Sequence, residues 1–118
     1  MKVAIVGSRS ITCPIPEGII PESTTEIFSG GAIGIDTSAR EYALKHKIRI
    51  TEVLPEYDLY GKSAPLKRND WLIQLADAVY VFWDGKSRGT KYVINKAKDE
   101  GKPVFVYVLK KDRFEKVD

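Results

Sequence analysis

"SGGAIGID", Ser29–Asp36, is the stretch on which the reading of this chain turns. Gly30, Gly31 and Gly34 stand between the short apolar run "EIF" and the segment "TSAREYALKH", which has helical character. Glycine crowded between a strand and a helix marks a backbone that bends tightly or lies close to another group. What that group is becomes the question for the rest of the molecule.

Working outward, five apolar runs read as buried strands: Lys2–Val6, Glu26–Ser29, Ile48–Leu54, Ala78–Trp83 and Pro103–Leu109. They are rich in β-branched and aromatic residues and nearly continuous rather than alternating, the pattern of a sheet covered on both faces and hence largely parallel. Helical patterns lie between them. In "IDTSAREYALKHK", Ile35, Ala39, Tyr42, Ala43 and His46 recur as one buried stripe. In "LKRNDWLIQLAD" the stripe is Leu72, Leu75 and Ala76 with Trp71 beside it, and in "GTKYVINKAKDEG" it is Val93, Ile94 and Ala97, with Gly101 at the C-cap before Pro103. Alternating strands and helices imply βαβ crossovers and a three-layer α/β sandwich on a mainly parallel five-stranded sheet. The first crossover, with Pro14, Pro16 and Pro21, holds at most a short helix around Glu17–Ile20.

A chain of 118 residues is one domain, here 1–118, with the charged tail from residue 110 read as a solvated, frayed end. The net charge of +3 is compatible with an anionic ligand and too small to argue for nucleic acid. Cys13 is the single cysteine and His46 the single histidine, which excludes an internal disulfide and a structural zinc site. The apolar run at the N-terminus is short for a signal peptide, and no stretch is long enough to span a membrane, so a cytoplasmic protein is expected.

In a parallel sheet of this kind a ligand sits beyond the carboxyl ends of the strands. The segments leaving those ends are "GSRS", "GGAIGID", "PEYDLYGKSAPLKRN" and "DGKSRGT". Gly7, Ser8 and Arg9 are either a turn offering backbone N–H groups and a guanidinium to a phosphate, or a polar loop after a strand. Gly30, Gly31 and Gly34 lead into a helix whose first N–H groups favour an anion, although the spacing matches neither the dinucleotide fingerprint nor a phosphate-binding P-loop. Asp36 reads as a helix cap or as an acceptor for a ribose hydroxyl. Ser87, Gly89 and Thr90 repeat the pattern one strand later with Arg88 alongside, while Arg68 and Asn69 are either a solvated first turn or part of the same crevice. Tyr57, Tyr60 and Trp83 read as packing residues or as stacking partners for a base. His46 reads as structural, and no serine has a base that would make a catalytic triad.

Taken in order, "VGSRS", "FSGGAIGIDTSAREYAL", "LKRNDWLIQLADAVYVFWDGKSRGTKYV" and "GKPVFVY" resemble the SLOG superfamily of Rossmann-like domains, which includes the DNA-processing protein DprA (Smf) and the Lonely Guy (LOG) proteins. The resemblance runs from Val3 to about Tyr107; the glycine loop and the Arg68–Asn69 pair are most DprA-like, and the size looks like the small stand-alone YspA-type members. It implies a Rossmann-like sheet that binds a nucleotide or nucleotide-derived ligand, with no metal. The implied ligand-binding residues are Gly7, Ser8, Arg9, Ser29, Gly30, Gly31, Ala32, Gly34, Asp36, Arg68, Asn69, Ser87, Gly89 and Thr90, and a homodimer is also implied. LOG proteins, which release a base from nucleoside monophosphates, carry a glutamate where this chain has Val93, and valine does no acid or base work. Two alternatives therefore stand beside nucleotide binding: a nucleotide-processing hydrolase using Asp36, Asp84 or another carboxylate, and DprA-like single-stranded DNA binding.

Overall fold

The computed structural model describes residues 1–117. Six strands form one sheet: β1 (Lys2–Gly7), β2 (Glu26–Ser29), β3 (Arg49–Glu52), β4 (Ala78–Trp83), β5 (Val104–Lys110) and β6 (Arg113–Val117). The helices are α1 (Ile35–His46), a single turn α2 (Tyr57–Tyr60) followed by a turn of 3₁₀ helix, α3 (Ala64–Leu75) and α4 (Arg88–Asp99). Strand order is β3-β2-β1-β4-β5-β6. The first five strands run parallel, in register Val3↔Ile27 and Val3↔Ala78 about the central β1, and β6 is antiparallel to β5.

The expected sheet had five strands; there are six. The tail from residue 110 turns at Lys111–Asp112 and returns as β6, pairing Lys110 with Arg113 and Val106 with Val117. Its charges hid the strand, but Phe114 packs edge-on against Phe82 at 5.1 Å on one face of the sheet while Val117 joins the cluster on the other. No helix forms around Glu17–Ile20, where the prolines leave turns and bends.

Two apolar clusters flank the sheet. On one face Val3, Ile5, Ile27, Tyr80 and Phe82 meet Ile35, Ala39, Tyr42 and Ala43 of α1, together with Ile11, Ile15 and Ile20 of the proline-rich connection. On the other, Ala4, Val6, Phe28, Val79 and Val81 meet Leu72 and Ile73 of α3 and Val93, Ile94 and Ala97 of α4. The molecule is thus an α/β sandwich with helices on both sides, consistent with a Rossmann-like fold. Two stripe assignments shift. His46 is exposed, stacking on Tyr42 at 4.1 Å and pairing with Glu17 at 2.8 Å; Leu75 is exposed and Ile73 takes its place inside. Among the described residues no helix is long and apolar enough to cross a membrane.

The chain builds β1, β2 and β3 outward to one side, then recrosses through α3 to place β4 on the other side of β1. The carboxyl ends of β1 and β4 therefore diverge, and a crevice opens between the loops that leave them.

Candidate functional site

At the floor of that crevice, Ser8 ties the two strand ends together. Its N–H donates to Phe82 O (3.0 Å) and its Oγ accepts from the Asp84 N–H (3.0 Å). Its carbonyl accepts from the N–H groups of Ile11 and Ile35, both at 3.3 Å. Ser8 is buried and its polar atoms are engaged within the protein, so it braces the turn. Gly7 leaves the space into which Ile35 and the Phe82 carbonyl pack.

The glycine loop is close to the protein itself. Gly34 has φ +77°, and a Cβ there would lie 2.6 Å from Ser8 O and from the Cα and O of Arg9, so the start of α1 presses backbone against backbone on the β1 turn. A Cβ on Gly30 would collide with the Arg68 guanidinium, with Cζ 2.7 Å and Asp36 Oδ2 2.8 Å away. Gly31 turns toward Leu54 and Glu52. Arg68 and Asn69, expected at an exposed helix start or in a crevice, are buried at 6% and 8% exposure. Arg68 Nη1 donates to Gly30 O (2.6 Å) and Val53 O (3.4 Å), and its Nε donates to Asn69 Oδ1 (2.8 Å). The Ala32 N–H donates to Asp36 Oδ2 (3.1 Å). Burial pushes the Asp36 carboxyl up from its ordinary value, against the pull of the Ala32 N–H and the Arg68 charge. Burial likewise lowers the Arg68 guanidinium, with the Asp36 charge opposing it, and Arg68 stays cationic.

After β4, the turn is held from within by a carboxylate. Asp84 Oδ1 accepts from the N–H groups of Lys86 and Ser87, both at 2.8 Å, and Oδ2 accepts from Ser10 Oγ (2.9 Å). Partial burial would raise this carboxyl, but those donors outweigh it and hold Asp84 below its ordinary value. Ser87 caps α4: its Oγ accepts from the Thr90 N–H (3.4 Å) and donates to Thr90 Oγ1 (2.7 Å). Lys91 N–H returns to Ser87 O (3.2 Å), leaving the N–H groups of Arg88 and Gly89 without an acceptor among the described residues. No acidic residue occupies the first turn of α4, whereas Asp36 sits in that of α1.

Between these elements lies an open cleft of about 440 Å³. Of the residues singled out in the sequence, Gly7, Arg9, Ala32, Asp36, Arg68, Asn69, Ser87, Gly89 and Thr90 line it. Ser8, Ser29, Gly30, Gly31 and Gly34 stand behind that wall. The sequence reading had Ser10 in the strand-end turn but did not single out Pro65, Leu66 or Leu72, which give the cleft an apolar side. Leu72 carries only the signal of a core stripe, while Ser10 and Asp84 were visible as polar residues of the two strand-end loops. Tyr57, Tyr60 and Trp83 do not line the cleft; Trp83 Nε1 donates to Ser87 O (3.0 Å) beneath α4. Val93, which the resemblance matches to the LOG glutamate, is fully buried in the apolar cluster of α3 and α4 and does not line the cleft.

Chemically, the cleft offers unengaged donors on one side and apolar carbon on the other. Arg68 Nη2 and Asn69 Nδ2 have no acceptor among the described residues, and the Arg9 guanidinium forms no ion pair among them. Volume and composition are those of a small-molecule site. Comparison with known proteins finds no matching family model, no matching curated protein and no matching solved structure, so the cleft is read from its own residues.

Proposed function

We propose that this chain is a SLOG-type domain that binds a nucleotide or nucleotide derivative in the cleft between β1 and β4. The phosphate rests at the start of α4, on the N–H groups of Arg88 and Gly89, with Arg68, Asn69 and Arg9 as donors from the opposite wall. The base or sugar lies along Pro65, Leu66 and Leu72. The observation that carries this reading is the pair Arg68 and Asn69: two side chains more than nine-tenths buried that keep a donor each unspent beside the open end of a helix. Both nitrogens open onto the cleft rather than into the core, and an anion bound there exchanges their water contacts for charge-assisted hydrogen bonds. Asp84 does not oppose the ligand strongly, because its charge is spread over three donors of its own loops.

The test is a thermal-shift and calorimetric titration with nucleoside mono-, di- and triphosphates at low and high salt, with inorganic phosphate as the reference. At least one nucleotide raises Tm more than phosphate does, and Arg68→Met weakens it by about 10-fold or more, the loss expected for a charge-assisted hydrogen bond. If no nucleotide exceeds phosphate, the reading fails. A single-stranded oligonucleotide whose affinity falls steeply with salt would favour the DNA-binding alternative.

One observation favours a second reading, hydrolysis. Asp36 is a carboxyl lining the cleft beside Arg68, and burial raises its pKa from the ordinary value, the direction that suits a general acid. Chromatography of the nucleotide after incubation separates the two readings: release of free base or phosphate that Asp36→Asn abolishes identifies an enzyme, and recovery of intact ligand identifies a binding module.

A further inference from the structure

The cleft draws its donors from two helices on the same face of the sheet. Arg68 and Asn69 line it from the second turn of α3, and Gly89 and Thr90 from the first turn of α4. Away from the cleft, Leu72 and Ile73 of α3 share one apolar cluster with Val93 and Ile94 of α4. Apolar burial holds two helices together, but it is non-directional and does not by itself fix how far apart their starts stand.

Directed bonds fix that distance, and the two helices have them at both ends. At the end far from the cleft, Lys102 Nζ, three residues past α4, donates to Ala76 O (2.7 Å) and Gln74 O (3.4 Å) where α3 finishes. Near the cleft, Tyr92 OH donates to Asp70 Oδ1 (2.8 Å), the one side-chain hydrogen bond made directly between α3 and α4 among the described residues. Asp70 forms no ion pair among those residues. Its hydrogen-bonded carboxylate, helped by partial burial, pushes the Tyr92 hydroxyl up to about 12, so the hydroxyl remains a donor at neutral pH. Neither residue lines the cleft. Yet Asp70 follows Asn69 directly, and Tyr92 lies one helical turn beyond Gly89.

We propose that Tyr92 and Asp70 are a positioning pair. Their bond sets the gap between the Arg68 and Asn69 donors and the start of α4, and with it the size of the anionic group that both walls grip at once. The proposal rests on the reading of the cleft given above. Binding groups work only when held to within about 0.5 Å, so a tie one turn or less from both sets of donors governs affinity.

Calorimetry with adenosine mono-, di- and triphosphate tests it. Tyr92→Phe keeps the ring, removes the donor and weakens nucleotide binding about 10-fold. Asp70→Ala weakens it equally and the double variant no further, whereas Asp70→Asn, which retains an oxygen acceptor, binds within about 2-fold of wild type. Lys102→Met removes the far tie and lowers Tm as Tyr92→Phe does, yet leaves affinity unchanged. The gap itself is read without ligand, by double electron–electron resonance between nitroxides at Lys67→Cys and Lys91→Cys in a Cys13→Ser background. One narrow distance is expected with Tyr92 intact and also with Lys102→Met, and a longer or broader one with Tyr92→Phe. Affinity that survives Tyr92→Phe, that falls as far in Lys102→Met, or that Asp70→Asn loses as fully as Asp70→Ala overturns the proposal, as does a distance unchanged by Tyr92→Phe. A wild-type chain that binds none of the three nucleotides overturns the reading of the cleft instead, and the distances alone then decide whether the pair sets the gap.

Discussion

Two turns in this molecule look alike on paper and differ in what surrounds them. Both follow an interior strand, both contain glycine and hydroxyl side chains, and both open a twelve-residue helix. The turn before α1 is filled from within. Gly34 meets the backbone of Ser8 and Arg9, Gly30 meets Arg68, and Asp36 answers the positive end of the helix. The turn before α4 is open: a Cβ on Gly89 would meet nothing within 4 Å, Ser87 supplies the cap, and no acid sits in the first turn. Glycine density therefore reports close approach, and the approaching group can be the protein's own arginine as readily as a ligand.

That comparison is easiest to break with the glycines themselves. Gly34→Ala places a methyl against backbone in a conformation that L side chains rarely adopt, and about 3 kcal/mol of stability is lost in urea denaturation. Gly89→Ala, in open space inside a helix, leaves stability unchanged or raises it by up to about 1 kcal/mol. Equal effects at the two sites would mean that the turns are not different in kind.

Gly30→Ala sharpens the comparison, because its neighbour is a movable side chain. The guanidinium is pushed off Gly30 O, stability falls by about 1–2 kcal/mol, and nucleotide affinity falls by about 10-fold if Arg68 grips the ligand from that position. Calorimetry of the variant, with the nucleotide that the thermal-shift titration selects, reads both effects. Ser87→Ala removes the only side-chain cap of α4 and lowers stability by about 1 kcal/mol, whereas α1 has no side-chain cap to lose.

The smallest effects are in pH, and they have opposite signs in the two turns. The folded-state pKa of Asp36 is raised above the reference value of 3.8, so its contribution to stability is full below that value and is lost as pH rises through the folded value. Asp36→Asn should therefore match or exceed the wild-type Tm at neutral pH, with the gap closing in acid. The folded-state pKa of Asp84 is lowered, so its contribution is present above 3.8 and is lost as pH falls through the folded value. Asp84→Asn should be less stable than wild type at neutral pH and converge with it in acid. Melting curves from pH 3 to pH 8 check both, and shifts of the same sign would sink the assignment of opposite roles.

How much of this was legible depends on the range of each interaction. The five parallel strands and the three long helices were readable because their apolar periodicity is local. The alternation in "DRFEKV" was local too, but four of its residues are charged and exposed and only Phe114 and Val117 touch the cores, so the edge strand read as tail. Leu75 read as a member of a buried stripe with Trp71 beside it, yet α3 turns both outward and buries Ile73, since the register of a helix against a sheet is set by the facing surface. Arg68 was the harder case. A basic residue in a first turn is ordinarily solvated, and nothing within the segment shows that a glycine carbonyl 38 positions earlier will lie 2.6 Å from it.

By itself the sequence determined the α/β class, the parallel core and the strand ends at which polar and glycine-rich segments gather, because hydrophobic periodicity and turn chemistry act between near neighbours. Only the tertiary structure decided that the glycine loop packs against Arg68 while α4 keeps an open N-terminus. It also decided that the tail becomes a sixth strand and that Asp70 of α3 meets Tyr92 of α4. Each of those outcomes is a contact or a gap between segments far apart along the chain, and burial and hydrogen bonding at such distances exist only once the whole sheet has assembled.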